Sequence, residues 1–131
     1  MPDAANADWL PALRSALAQA APASRIVIEA RDRPRSTNGL SALLEAASGA
    51  LAAVPGRAVA DTYKEVRDGR VVRTVPREAL AELGSPWVFE RHVLEEAVDR
   101  LLADRATCGS LIELCRLAGL ELRLVPWPAI P

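Results

Sequence analysis

The chain has 131 residues, of which 50% are apolar and 25% are charged, and its formal net charge is -1. This length fits one domain around one hydrophobic core, and the apolar content excludes a disordered chain. The small net charge gives no general attraction to nucleic acid or to an acidic membrane surface, so binding of either kind needs a local basic patch.

The first eight residues lack the basic and apolar regions of a signal peptide, and no apolar run approaches the length of about 20 residues that spans a bilayer. Lys64 is the only lysine among 16 basic residues, an arginine bias typical of GC-rich bacterial genomes. We therefore predict a bacterial protein of the cytoplasm that does not bind membranes.

The two cysteines, Cys108 and Cys115, are predicted to be free thiols. On one helix they lie about 10 Å apart along the axis, whereas a disulfide needs Cα atoms within about 7 Å. His92 is the only histidine, and the spacing of a structural zinc site is missing. We predict no metal site and no cofactor.

Hydrophobic periodicity and turn residues predict the elements along the chain. In chain order they are a helix at 9–20, a strand at 25–30, a helix at 39–54, a β-hairpin at 58–75, helices at 76–83, 86–104 and 108–118, and a strand at 120–125. The proline-rich tail at 126–131 cannot form a regular element.

This order predicts an α+β fold for a single domain, residues 1–131. We expect a two-layer sandwich in which a small mixed or antiparallel sheet contains the hairpin at its centre and the helices pack mainly on one face. Asp68-Gly69 is a strong two-residue turn signal. The register stays open, because a two-residue loop sets Lys64 opposite Arg73, whereas a three-residue loop sets Tyr63 beside Arg73.

The loop between the first strand and the second helix is a candidate anion site, because guanidinium groups and the amides of a helix start both bind phosphate or carboxylate. Its candidate residues are Arg31, Arg33, Arg35, Ser36, Thr37 and Asn38. No nucleotide-binding motif is matched. The alternative is a solvated loop whose Ser or Asn caps the helix.

The hairpin is a second candidate, for nucleic acid. The segment from Gly69-Arg70 through Pro76-Arg77-Glu78 to Leu83-Gly84 resembles the swapped-hairpin DNA-binding family. We do not assign the chain to that family, because the span up to Pro76 is two residues too long. The resemblance implies that basic side chains of the ribbon contact DNA, namely Arg67, Arg70, Arg73 and Arg77.

Tryptophan is enriched at interface hot spots, so Trp87 and Trp127 are candidate interface residues, with closure of the core as the favoured alternative. We identify no catalytic residue, and the sequence leaves open whether His92 or Cys108 has a chemical role.

The absence of a catalytic constellation favours a small non-catalytic accessory or regulatory module that binds another protein, with a second copy of itself as one option, rather than an enzyme. A DNA-binding regulator that uses the hairpin at 67–77 is one alternative. A small enzyme or anionic-ligand binder that uses the loop at 31–39 is the other.

Overall fold

The computed structural model describes residues 2–29, 33, 39–60 and 62–126. Their four helices are α1 (Pro2–Gln19), α2 (Leu40–Ala46), α3 (Arg91–Ala103) and α4 (Leu111–Ala118). Their seven strands are β1 (Arg25–Ile28), β2 (Ala52–Ala58), β3 (Tyr63–Arg67), β4 (Arg70–Val75), β5 (Ala81–Leu83), β6 (Trp87–Glu90) and β7 (Leu122–Pro126). No helix in these ranges is long and apolar enough to cross a bilayer.

Five of the strands form one mixed sheet, in which β6 lies between β1 and β2. This strand runs antiparallel to β1 on one side and to β2 on the other. One edge of β2 pairs with β6 and, further along, with β5. The other edge of β2 pairs in parallel with β7. Thus β1, β2 and β7 all point the same way, with β6 reversed between β1 and β2.

The sheet buries apolar side chains on both of its faces. Phe89 packs with α1, α3 and α4, whereas Val88, the residue before it, packs with Leu43 of α2. The prediction of a mixed α+β fold is confirmed. The predicted two-layer sandwich is not confirmed, because α2 adds a layer on the face opposite the other three helices.

Three predicted helices were wrong in part. The helix at 39–54 ends at Ala46, and the last part of that range is β2. A 3₁₀ turn at Arg77–Ala79 and β5 replace the helix at 76–83, and β6 replaces the start of the helix at 86–104. A strand buried on both faces is a continuous apolar run, which periodicity cannot distinguish from a buried helix.

The hairpin forms with the predicted turn, but as a separate two-stranded sheet of β3 and β4 and not at the centre of the main sheet. Asp68 and Gly69 have φ of 50° and 76°, as a two-residue loop requires. A register shift after Glu65 then places this carboxylate opposite Arg73. The bulge therefore replaces the expected repulsion between Lys64 and Arg73 with an ion pair.

Helix α4 is capped at both ends by its own sequence. Ser110 Oγ accepts a hydrogen bond from the Glu113 amide at 3.2 Å, and Glu113 Oε1 accepts one from the Gly109 amide at 2.9 Å. The Ser110 bond satisfies an amide of the first helical turn, and the Glu113 bond ties the residue before the N-cap to the helix. Gly119 ends the helix in the left-handed conformation, with φ of 69°.

Replacing Gly119 with Ala is expected to lower the free energy of unfolding by about 1 kcal/mol, because a Cβ is disfavoured at this φ. Gly119→Asn should lower the free energy of unfolding by less, since Asn tolerates the left-handed region. Chemical denaturation of both variants measures the difference. Equal stability of Gly119→Ala and the parent protein would contradict the assigned cap.

Candidate functional site

A cleft of about 510 Å³ opens at the carboxyl end of β1, between α1, β6 and the start of α4. Ligands of open sheets with parallel strands bind in crevices at this end of the strands. The lining residues are Trp9, Ala12, Leu13, Ile28, Glu29, Arg33, Leu83, Trp87, Gly109, Ser110, Leu111 and Ile112. This cleft is the candidate functional site.

The walls of the cleft belong to the main core. Trp87 is buried and stacks on Phe89, with ring centroids 6.2 Å apart and planes inclined by 11°. Trp9 and Leu13 approach from α1 and pack against the same core. The apolar walls therefore rest on buried strands and helices, which fixes the shape of the cleft.

The polar groups of the cleft are few. Among its described lining residues, Arg33 is the cationic one, and Glu29 and Ser110 contribute oxygen atoms. The start of α4 already contacts the Glu113 carboxylate through the Gly109 amide. A bound anion would meet that negative charge, so Arg33 is the group best placed to attract an anion.

A second cleft of about 400 Å³ adjoins the first and shares Arg33 and Leu83 with it. Tyr63 and Val75, a cross-strand pair at the base of the hairpin, line this second cleft. Arg33 therefore lies at the border between the main cleft and the hairpin.

The structure thus brings one residue of the predicted anion loop into a cleft. Arg31, Arg35, Ser36, Thr37 and Asn38 lie outside the described residues. The N-cap of α2 is Gly39, with no side-chain hydrogen bond to the helix. The anion site at 31–39 stays a prediction, supported at Arg33 by its place in the cleft.

The arginines predicted to bind DNA do not form one free basic surface. Arg67 and Arg73 both pair with the Glu65 carboxylate. Arg77 donates to the carbonyl of Ala60 at 3.2 Å. Glu65 therefore offsets part of the positive charge of Arg67 and Arg73, whereas the carbonyl acceptor leaves the charge of Arg77 unchanged.

Of the two candidate interface tryptophans, Trp87 is buried in the core and in the cleft wall, and Trp127 lies outside the described residues. His92 is exposed, and its Nε2 lies 3.7 Å from the Glu90 carboxylate. It stands apart from the lining of the main cleft. Within the described part of the chain, His, Cys, Asp and Glu side chains form no cluster suited to a metal ion.

Both cysteines are free and buried. Burial raises the pKa of the Cys115 thiol to about 11, and the neighbouring Cys108 adds to this shift. Burial also raises the pKa of Cys108, which outweighs the lowering effect of its hydrogen bond to Ser110. The sequence had left a reactive thiolate open at Cys108, but the surroundings favour an inert thiol.

Comparisons with known proteins identify the family. The model of the family described as IspD, 2-C-methyl-D-erythritol 4-phosphate cytidylyltransferase, matches residues 12–129. The chain belongs to this family. The match includes both hairpin strands and every cleft residue except Trp9.

The relatives of known sequence are longer proteins. The bifunctional enzyme IspD/IspF of Lawsonia intracellularis is 38% identical over 85 residues, which are 63% of this chain and 21% of that protein. The 2-C-methyl-D-erythritol 4-phosphate cytidylyltransferase of Frankia casuarinae is 51% identical over 47 residues, or 35% of this chain and 18% of that enzyme.

Solved structures share the fold. The 2-C-methyl-D-erythritol 4-phosphate cytidylyltransferase of Thermus thermophilus is 28% identical, with a TM-score of 0.73 over 92% of this chain and 59% of that one. The 4-diphosphocytidyl-2C-methyl-D-erythritol synthase of Anaerococcus prevotii, at 17% identity, has a TM-score of 0.73 over 88% of this chain and 55% of that one. The chain thus spans between half and three fifths of the length of these two structures.

Family membership overturns the predicted function. The prediction of a non-catalytic regulatory module was wrong, because the chain belongs to a family of enzymes. The alternative of a DNA-binding regulator was wrong for the same reason, because the family is one of enzymes. Of the three hypotheses, only the one that included a small enzyme agrees with the family, and the role it gave to the loop stays a prediction.

Sequence reasoning missed Trp9, Glu29 and Ser110 as cleft residues. Glu29 directly follows β1 and could have been found, because residues at the carboxyl ends of strands often line ligand sites. No sequence signal places Trp9 or Ser110 beside it, since they come from helices distant along the chain.

The raised thiol pKa of Cys115 predicts a loss of stability at alkaline pH. The folded state favours the protonated thiol, so this contribution is complete below the ordinary pKa of 9.0 and is lost as pH rises towards about 11. Unfolding free energies at pH 8 and pH 10.5 should therefore differ less in Cys115→Ala than in the parent. An unchanged pH dependence in the variant would contradict this assignment.

Proposed function

We propose that this chain takes part in cytidylyl transfer to a phosphorylated polyol, and that its main cleft holds the acceptor phosphate through Arg33. The observation that carries the proposal is the family match over residues 12–129, which includes the lining of the cleft from Ala12 to Ile112. The acceptor would be 2-C-methyl-D-erythritol 4-phosphate, as the names of the relatives state for those enzymes.

The names of the relatives also define the bond that is made. One names the acceptor 4-phosphate, and another names a 4-diphosphocytidyl product. In the reaction proposed here, an oxygen of the acceptor phosphate bonds to the phosphorus of a cytidine nucleotide. With cytidine triphosphate as the donor, that phosphorus is the α-phosphorus. Its bond to the oxygen that bridges it to the β-phosphate breaks, and pyrophosphate leaves with the electron pair.

Such a transfer needs positioning and charge neutralisation more than a protein nucleophile. Arg33 supplies a guanidinium, whose paired N–H groups match two oxygens of a phosphate. Trp9, Leu13 and Ile28 form apolar walls of the same cleft. Because Arg33 itself is exposed, its contribution would come from paired hydrogen bonds to the phosphate and not from exclusion of water.

Replacing Arg33 with Ala is expected to weaken binding of 2-C-methyl-D-erythritol 4-phosphate by about 10- to 100-fold, since hydrogen bonds to charged groups contribute about 1.5–3 kcal/mol. Calorimetric titration measures this affinity independently of turnover. Arg116→Ala is the matched control, because Arg116 is an exposed arginine of α4 that does not line the cleft.

Turnover is then assayed with cytidine triphosphate and the same acceptor. We expect product from the parent chain and from Arg116→Ala, and a loss of product with Arg33→Ala at low acceptor concentration. Equal acceptor affinity in the Arg33→Ala and Arg116→Ala variants would contradict the role of Arg33. Acceptor binding without product would restrict the proposal to binding by this part of the family fold.

We further propose that the hairpin packs against a second copy of the chain. Val66 and Val71 form a cross-strand pair that is 57% and 65% exposed, and Val72 next to them is also exposed. An apolar patch on a projecting ribbon is typical of an association surface. A symmetric pairing of two such ribbons would bury the patch of each copy.

Light scattering during gel filtration is expected to show a dimer, which Val71→Glu should convert to a monomer because a carboxylate would be buried in the contact. Leu40→Glu is the control, since it places the same charge on an exposed apolar residue of α2. A parent protein that is monomeric at high concentration would contradict this assembly.

A further inference from the structure

The main cleft carries apolar surface that the protein itself does not cover. Eight of its twelve described lining residues are apolar. Ile112, in the first turn of α4, is 47% exposed although it lines the cleft. Trp9, Leu13 and Ile28 also line it and are only half-buried. Accessible apolar side chains in a concave site are typical of a binding site for an apolar group.

The start of α4 adds little hydrogen-bonding capacity to this surface. Ser110 Oγ accepts a hydrogen bond from the Glu113 amide, and the Gly109 amide donates to the Glu113 carboxylate. Both groups therefore already have partners within the protein. A ligand hydroxyl placed along Trp9 and Ile112 would lose hydrogen bonds to water without regaining them, whereas a methylene group gains from leaving water.

Arg33 gives the cleft a charged end. Of the twelve described lining residues, Arg33 and Leu83 also line the second cleft, which lies on the hairpin side. The guanidinium therefore stands at the border of the main cleft, whereas the walls from α1 and α4 belong to the main cleft alone. This separation of charge from apolar surface favours a ligand with an anionic head at one end and an apolar chain at the other.

We propose that the main cleft also binds an alkyl phosphate, with the phosphate at Arg33 and the alkyl chain along Trp9, Leu13 and Ile112. The phosphate position is the one proposed above for the polyol phosphate, so the two ligands compete for the cleft. An alkyl phosphate therefore inhibits transfer to the polyol. This inference rests on the anion-binding role of Arg33 in the proposed function, but not on cytidylyl transfer itself.

The test measures the affinity of the full chain for unbranched alkyl phosphates of increasing length, from methyl to hexyl phosphate. Tryptophan fluorescence reports binding, since Trp9 and Trp87 line the cleft. We expect the affinity to rise by about three- to fourfold for each added methylene group, because each one leaves water on binding. Arg33→Ala should weaken binding of every member of the series by a similar factor, since all of them share the phosphate.

Ile112→Asn tests the apolar end of the cleft. It should reduce the rise of affinity with chain length and leave the affinity for methyl phosphate unchanged. Leu40→Asn is the matched control, because Leu40 is a 51% exposed apolar residue in the first turn of α2 that does not line the cleft. An affinity that does not rise with chain length in the parent, or that rises equally in Ile112→Asn and Leu40→Asn, would overturn the inference.

A titration with 2-C-methyl-D-erythritol 4-phosphate separates this inference from the proposed function. We expect the polyol phosphate to displace bound hexyl phosphate, and simultaneous binding of both would overturn the assignment to one cleft. A rise of affinity with chain length, together with no binding of the polyol phosphate, would contradict the proposed function and support this inference. Binding of the polyol phosphate without that rise would overturn this inference alone.

Discussion

The double pairing of β6 is the constraint on which the rest of the structure depends. This strand is antiparallel to both of its neighbours. Successive backbone amides along it therefore donate hydrogen bonds to β1 and to β2 in turn. The Glu90 amide reaches the carbonyl of Leu51 at 3.0 Å, and the next amide, of Arg91, reaches that of Ser24. Phe89 and Val88 then fill the two faces of the sheet. A single reversed strand therefore fixes β1 and β2 relative to each other and requires helices on both faces.

Arg91 connects the sheet to α1, the helix that forms one wall of the cleft. It is the first residue of α3, and its guanidinium donates to the carbonyls of Leu17 and Ala21, both at 2.7 Å. These acceptors lie at and just beyond the last turn of α1, where carbonyls otherwise lack partners. Helix α1 also carries Trp9 and Leu13, which line the cleft. The wall of the site is thus held in place by a charged group that bonds to α1 about one turn beyond Leu13 and about two turns beyond Trp9.

The elements with a clear local signal were predictable from the sequence. The Asp68-Gly69 turn and the helix end at Gly119 match the structure, because each depends on a glycine that adopts positive φ. The runs that became β2 and β6 were assigned to helices, because burial on both faces removes the alternation that marks a strand. The register shift between Glu65 and Val66 was not predictable from local sequence, since an ion pair across the hairpin accompanies it.

Membership of an enzyme family was missed for a chemical reason. The sequence offered no nucleophile with a matching base, and we took that absence as evidence against an enzyme. Transfer between phosphates depends on bound charges and geometry, so it needs no such constellation. The cleft, moreover, is assembled from four distant parts of the chain, around Trp9, Ile28, Leu83 and Ser110. Of this site, the sequence had marked Arg33 as a candidate anion-binding residue and Trp87 as a candidate interface residue, but nothing in the sequence brought the two together.

The most direct test of the account is an amide chemical-shift titration of the chain with 2-C-methyl-D-erythritol 4-phosphate. The account predicts saturable shifts at Ile28, Glu29, Arg33 and the first turn of α4, with the tip of the hairpin and the surroundings of His92 unchanged. Shifts confined to His92 and its neighbours, or to the hairpin arginines, would contradict a phosphate site at the carboxyl end of β1.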